Sequence, residues 1–383
     1  MTTTDRAAAT TPDLAATQRP AATRLQGWDS IELWVGNARM AAGFLMSAFG
    51  FSCTSYAGPE SGVRDRASYV LEQGDIRLVV TGAQSGDSPI AQSVMAHGDG
   101  VHDLAWLVDD ATAAYEAALA RGAHSVRTPW TATDDHGDLR LATIGTYGEV
   151  QHTFVDRSGY HGPTLAPGYH TEKLPPTPVG PPVGLVKIDH VVGNVEQGRL
   201  AEWVRFYEEV LGFRQLVHFD DDQISTEYSA LMSTVVFDGS RIFLPINEPA
   251  DGRKKSQIEE YLDTYDGPGV QHVALGTNDI VATVAALRER GVRFMTVPDE
   301  YYAEAKQRLS EVELPWEDLQ RLNILVDRDA EGYLLQIFTE VVCDRPTLFF
   351  EIIERHGAVG FGEGNFKALF EAIERDQARR GNL

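Results

Sequence analysis

Short runs of alternating apolar and polar residues, and longer runs with apolar residues at helical spacing, follow one another in a fixed order along the chain. Residues 68–80, SYVLEQGDIRLVV, read as two strands joined by a tight turn at Gly74. Residues 233–245, STVVFDGSRIFLP, read the same way with the turn at Gly239. Leu200, Val204, Tyr207 and Leu211 fall on one face of a helix, as do Ile280, Val284 and Leu287. These stripes predict helices packed on a core.

The pattern occurs twice, as expected of a duplicated unit. VGN at 35–37 matches VGN at 192–194, and each is followed by an amphipathic segment ending in Gly-Phe, at Gly50-Phe51 and Gly212-Phe213. GVHDLAWLVDDATAAYEAALARG (100–122) matches GVQHVALGTNDIVATVAALRERG (269–291). Between the copies, residues 163–182 hold seven of the 18 prolines, which predicts an extended linker. The expected division is a disordered tail over 1–26, an N-terminal barrel over 27–165, a linker over 166–183 and a C-terminal barrel over 184–383. Each half reads as two βαβββ modules, an α+β fold with two open β-barrel domains, each around a cavity suited to a ligand.

Composition narrows the function. The 383 residues carry 33 Lys and Arg against 56 Asp and Glu, a net charge of −23. So acidic a chain predicts no nucleic-acid partner and no anionic membrane surface. The one basic run, Arg253-Lys254-Lys255, is short and reads as a solvated helix start. Two cysteines, Cys53 and Cys343, give no disulfide framework and no cysteine-based zinc site. No apolar run has the length of a membrane span, and the first residues lack a signal-peptide pattern. A cytoplasmic location is expected.

The repeat singles out two of the eleven histidines. His190 and His272 fall in the first strands of modules three and four, which are equivalent places in one barrel. Glu351 puts a carboxylate inside the apolar strand Leu348-Phe-Phe-Glu351-Ile-Ile, an expensive placement unless it is paired or binds metal. Two imidazoles and one carboxylate are the ligand set of non-haem Fe(II) oxygenases, although a zinc hydrolase could use the same types. By the repeat matches, Leu33 falls where His190 lies (aligned on VGN) and Asp103 where His272 lies (aligned on the segments from Gly100 and Gly269). The N-terminal barrel is therefore expected to hold no metal, with His102, His152 and His161 structural or on the surface.

Around these residues the chain resembles the 4-hydroxyphenylpyruvate dioxygenase family of the vicinal oxygen chelate superfamily. The resemblance covers nearly all of the chain after the tail. It is carried by YSALMSTVV (228–236), LPINEP (244–249), KSQIEEYL (255–262), GVQHVAL (269–275), ILVDRD (324–329), LLQIFT (334–339), DRPTLFFEIIERHG (344–357) and GFGEGNFKALFEAIERDQARRG (360–381). It implies the glyoxalase-like fold and one Fe(II) per subunit held by His190, His272 and Glu351. It implies polar site residues at Ser233, Asn247, Gln257, Gln271 and Gln336, with Pro245 beside them. It also implies an aromatic wall of Phe338, Phe361 and Phe366 with Asn365, and a last helix that closes over the site as a lid. The implied reaction takes 4-hydroxyphenylpyruvate and O2 to homogentisate and CO2 in tyrosine and phenylalanine catabolism, in a homodimer or homotetramer. Related alternatives are a 4-hydroxymandelate synthase on the same substrate, an extradiol dioxygenase using His218 or His356 as base, and a non-catalytic binding relative. Phe366 and Pro245 favour ring hydroxylation, because the synthases tend to carry a smaller aliphatic residue and Thr there.

Overall fold

The computed structural model describes residues 24–172, 174, 180–219, 230–250, 252 and 254–381. The first half runs β1 (Leu25–Trp34), α1 (Ala38–Phe49), β2 (Ser52–Ala57), β3 (Arg66–Gln73), β4 (Ile76–Ala83), α2 (Pro89–His97), β5 (Gly100–Val108), α3 (Ala111–Leu119), β6 (Ser125–Asp134), β7 (Gly137–Gly145) and β8 (Gln151–Asp156). The second runs β9 (Leu185–Asn194), α4 (Leu200–Glu209), β10 (Arg214–Phe219), β11 (Ala230–Phe237), β12 (Phe243–Ala250), α5 (Gln257–Tyr265), β13 (Gly269–Thr277), α6 (Ile280–Glu289), α7 (Asp299–Arg308), α8 (Trp316–Leu322), β14 (Leu325–Arg328), β15 (Tyr333–Phe338), β16 (Phe349–His356) and α9 (Phe366–Arg380).

Each half forms one eight-stranded sheet, and the strand orders correspond: β2-β3-β4-β1-β5-β8-β7-β6 and β10-β11-β12-β9-β13-β16-β15-β14. Each sheet joins two βαβββ modules through an antiparallel pair at its centre, β1 with β5 and β9 with β13. The helical stripes are core: Leu200, Val204, Tyr207 and Leu211 are buried, as are Ile280, Val284 and Leu287. Asn37, Asp110, Ser256 and Asp279 cap the helices that follow them, each accepting a backbone N–H of the first turn. Among the described residues no helix is long and apolar enough to cross a membrane.

The halves share one hydrophobic core. Trp106 stacks on His152 at 3.8 Å, and burial pushes the His152 imidazole down to about 3. Neutral His152 donates from Nδ1 to the Leu104 carbonyl and accepts at Nε2 from the Tyr207 hydroxyl across the interface, at 2.9 Å. The β3–β4 turn packs on the start of β9, where Asp75 N–H donates to the Val186 carbonyl at 2.7 Å. Gly74 there has φ +59°, and a Cβ would meet the Val186 backbone at 2.6 Å, so only glycine fits.

Three expectations change. Strand β1 begins at Leu25, which is buried and opposite Val108, so the first strand reaches into the expected tail; residues 1–23 lie outside the described residues. The described parts of the expected linker are tied down: His170 pairs with Tyr56, and Gln73 Oε1 accepts from the N–H groups of Val183, Gly184 and Leu185. Residues 173 and 175–179 lie outside the description, as does Arg253 of the basic run. Finally, Leu33 is not the counterpart of His190. His190 lies opposite Ala274, two residues beyond His272, and the residue opposite Ala105, two beyond Asp103, is Ser30. Leu33 packs in the core.

The VGN match misleads because the two copies do different work. Asn37 caps α1 directly, whereas Asn194 closes β9 six residues before α4 begins.

Candidate active site

The site is built on three neighbouring strands, β9, β13 and β16. In register, His190, Ala274 and Glu351 form one row across the sheet, with His272 two residues along from Ala274 on the same face. The small side chain of Ala274 between His190 and Glu351 leaves the middle of the row open. His190 Nε2 lies 3.1 Å and His272 Nε2 3.3 Å from Glu351 Oε2. All three residues are buried, and their ligand atoms lie within 4.8 Å of one another. Two ligands set at right angles on one octahedral ion, with bonds of about 2.1 Å, lie about 3.0 Å apart. Glu351 Oε1 is buried with no hydrogen-bond partner among the described residues, which fits a carboxylate whose partner is a cation.

The electrostatics point the same way. Burial opposes charge on Glu351, yet the two imidazoles outweigh it and hold the carboxyl down at about 2. Burial lowers His272. At His190 burial is outweighed by Glu351 and Asp189, and its pKa rises.

Each histidine is held by the residue just before it. Asp189 is skipped in the pairing of β9 with β13, and so is Gln271; both are β-bulge residues. The bulges bring Asp189 Oδ1 to 2.9 Å from His190 Nδ1 and Gln271 Oε1 to 3.2 Å from His272 Nδ1. An acceptor at each Nδ1 can hold a proton there, which would leave each Nε2 lone pair free for a metal ion bound between the histidines and Glu351.

A cavity of about 80 Å³ opens beside the triad. Ser233, Pro245, Asn247, Gln257, Gln271, Gln336, Phe338, Phe361 and Phe366 all line it. Ser233 and Asn247 are cross-strand partners on β11 and β12, and Asn247 donates to Asn194 at 3.3 Å. Gln257 opens α5. Phe361 meets the His190 ring edge to face at 5.1 Å, while Phe349 stacks on His272 at 4.8 Å. α9 covers the mouth with Phe366, Leu369, Phe370 and Ile373.

Asn365 is placed elsewhere. It is fully buried below α9, and its Oδ1 accepts from the Tyr301 hydroxyl at 2.6 Å. It joins the base of the cover to α7 rather than lining the cavity. His218 and His356 also lie outside the lining: one bonds Thr234 and the other Glu354. Reasoning from the sequence missed Asp189, Phe219, Leu231 and Phe349. For Asp189 a signal existed, since Asp29 occupies the corresponding bulge in the first half.

A larger cavity, about 390 Å³, lies in the N-terminal barrel. The positions of the triad there are Ser30, Asp103 and Thr153, since Asp103 pairs with Gln151 as the β5–β8 register runs. Size does not make it a metal site: no imidazole stands at any of the three places.

Comparison with known proteins agrees with this geometry. The profile described as "Hydroxyphenylpyruvate dioxygenase, HPPD, N-terminal" matches residues 24–165. That of the "Glyoxalase/Bleomycin resistance protein/Dioxygenase superfamily" matches 187–337. A 4-hydroxyphenylpyruvate dioxygenase of Dictyostelium discoideum is 48% identical over 94% of this chain and 100% of its own length. The chain belongs to the 4-hydroxyphenylpyruvate dioxygenase family. Members from Yarrowia lipolytica and Danio rerio are 45% and 43% identical, over 94% and 96% of the chain and 94% of each relative. Among solved structures, a triple mutant of 4-hydroxymandelate synthase from Streptomyces coelicolor matches with TM-score 0.81 and 37% identity, over 92% of this chain and 99% of that one. The dioxygenase family thus accounts for both halves, including the one whose barrel holds no triad.

Proposed function

We propose that the chain is an Fe(II)-dependent dioxygenase that converts 4-hydroxyphenylpyruvate and O2 to homogentisate and CO2, in the cytoplasmic breakdown of tyrosine and phenylalanine. The observation that carries this reading is the buried His190–His272–Glu351 triad, in a chain that matches named dioxygenases over nearly its whole length. His190, His272 and Glu351 would hold the iron, which when bound supplies a redox-active Lewis acid with positions open to a 2-oxo acid and O2.

The protein's own part is to bind, orient and exclude water. Phe338, Phe361 and Phe366 offer edge and face contacts to a phenyl ring. Ser233, Asn247, Gln257 and Gln336 offer neutral hydrogen bonds to phenol and oxo-acid oxygens, adding no charge beside the carboxylate ligand. Gln271 is partly committed, since its Oε1 holds His272. α9 must yield to admit an aromatic acid, because the cavity it covers is smaller than an ordinary small-molecule site of about 300 Å³ or more. Once reseated, it keeps water from the reacting atoms.

The direct test is oxygen uptake by purified protein with 4-hydroxyphenylpyruvate and ascorbate, with Fe(II) or with chelator, and separation of the products. Iron-dependent uptake that yields homogentisate is expected. A yield of 4-hydroxymandelate assigns the chain to the synthase reaction instead, and no uptake with iron bound rejects the substrate. Phe366 packs edge-on against Phe219 at 5.1 Å and faces the cavity. Phe366→Ile is therefore expected to loosen the ring and divert part of the product to hydroxymandelate, and an unchanged product ratio removes that steric role.

Gly362 supplies a second check on the pocket. It has φ +79°, and a Cβ there would run into the Gln336 amide. Gly362→Ala costs about 1 kcal/mol in backbone strain and displaces Gln336. A fall in kcat/KM of about tenfold, equivalent to one lost neutral hydrogen bond, is expected. Wild-type kinetics in a folded variant would take Gln336 out of the substrate's reach.

A further inference from the structure

We infer that Arg355 is a positioning residue that ties the metal ligand His190 to the turn carrying Phe361, so that metal affinity and seating of the α9 cover are linked. The inference rests on the metal reading above and goes beyond it.

Arg355 lies on β16 four residues after Glu351. Its Nε is 3.0 Å from both oxygens of Asp189, and its Nη2 is 2.8 Å from Oδ1. Asp189 in turn accepts from His190 Nδ1. The remaining donor, Nη1, reaches the carbonyls of Ala358 at 3.3 Å and Gly360 at 2.6 Å. The guanidinium also lies 5.3 Å from the Phe361 ring, which itself meets His190. One planar cation therefore holds the carboxylate that orients a ligand and the backbone that leads into the cover. Lysine has no planar fork with which to do both.

The N-terminal half separates this role from simple support of the fold. By register Thr153 corresponds to Glu351, so Arg157 corresponds to Arg355, and Asp29 to Asp189. The pair is kept there: Arg157 Nη2 donates to Asp29 at 3.0 Å, and Nη1 to the Leu165 carbonyl at 2.7 Å. Clamping the bulge belongs to the fold in both halves. In the second half only, the clamped carboxylate faces an imidazole, and the arginine lies beside an aromatic wall of the cavity. A ligand bound at one end of such a link must favour order at the other, and the reverse holds equally.

The test uses the chelator-treated full chain titrated with Co(II) by calorimetry, with hydrogen exchange followed over residues 358–366. In the wild type, Co(II) slows exchange in that segment. Arg355→Met weakens Co(II) binding by about 10- to 100-fold and abolishes the slowing, while Arg157→Met lowers the melting temperature but changes Co(II) affinity by less than about twofold. Arg355→Lys restores part of the affinity and none of the slowing. Asp189→Asn, which removes the charge but keeps the side chain's size, loses affinity as well and carries the metal arm should Arg355→Met fail to fold. Wild-type Co(II) affinity in Arg355→Met, or an equal loss in Arg157→Met, overturns the inference while leaving the metal site intact. A wild-type chain that binds no Co(II) overturns the metal reading together with it.

Discussion

Glu351→Gln leaves a folded chain whose iron-dependent turnover is lower by more than about 100-fold, beyond what the loss of a supporting residue costs. The amide keeps the size of the side chain and its place between Phe350 and Ile352, so β16 should pair as before. What is lost is the only charge among the three ligands. Two neutral imidazoles and an amide compensate a dication poorly, and the amide replaces one carboxylate oxygen with an N–H donor that cannot bind a cation. The native carboxylate is held ionised by the histidines despite its burial, and its second oxygen has no hydrogen-bond partner among the described residues. Both features suit a cation and neither serves packing. Metal content after Fe(II) loading and desalting, measured with oxygen uptake and far-ultraviolet circular dichroism, checks the expectation. A variant that keeps both iron and turnover would remove Glu351 from the ligand set.

The triad could be read from the chain because a repeat turns isolated histidines into a pair at equivalent places, and because a charge within Leu-Phe-Phe-Glu-Ile-Ile demands a partner. The residues that orient the triad could not be read so directly. Asp189 and Gln271 sit in bulges, and a bulge breaks the alternation from which facing is inferred. The misplacement of Leu33 has a related origin. Three matching letters, VGN, carry a helix cap in one half and a strand end in the other, so the alignment slips by three residues where strand pairing has no slip. The sequence pattern does not predict helices α7 and α8. Their buried face is made of Tyr301, Tyr302 and Ala305 on one and Leu319 and Leu322 on the other, too few residues to show a strong period. Its neighbours in sequence group Asn365 with the aromatic wall, while its side chain accepts from Tyr301 across the fold.

Asp103→Asn stabilises the protein more at pH 8 than at pH 5. Asp103 takes the place of His272 in the barrel without a triad, and its surroundings invert the logic of Glu351. Burial pushes its carboxyl up to about 7, and the Glu32 carboxylate directly opposite on β1 adds to the effect. Its hydrogen bonds from the Thr153 N–H and hydroxyl and from Gln151 oppose the shift without cancelling it. No imidazole is among the groups that shift this carboxyl. Below the ordinary carboxylate value the group is neutral in both states and costs nothing. As pH rises toward 7 the unfolded chain gives up this proton while the folded chain keeps it, so stability is lost across that interval. Above about 7 the loss is complete, on the order of 4 kcal/mol for a shift of about three units. Asparagine carries no charge to bury, so its advantage over the native residue grows through the same interval and then levels off. Urea unfolding of chelator-treated wild type and variant at the two pH values measures the difference free of any metal contribution. An advantage that is equal at both would show that Asp103 is ionised throughout. The N-terminal barrel would then hold a compensated carboxylate, and the contrast with Glu351 would have to come from geometry alone.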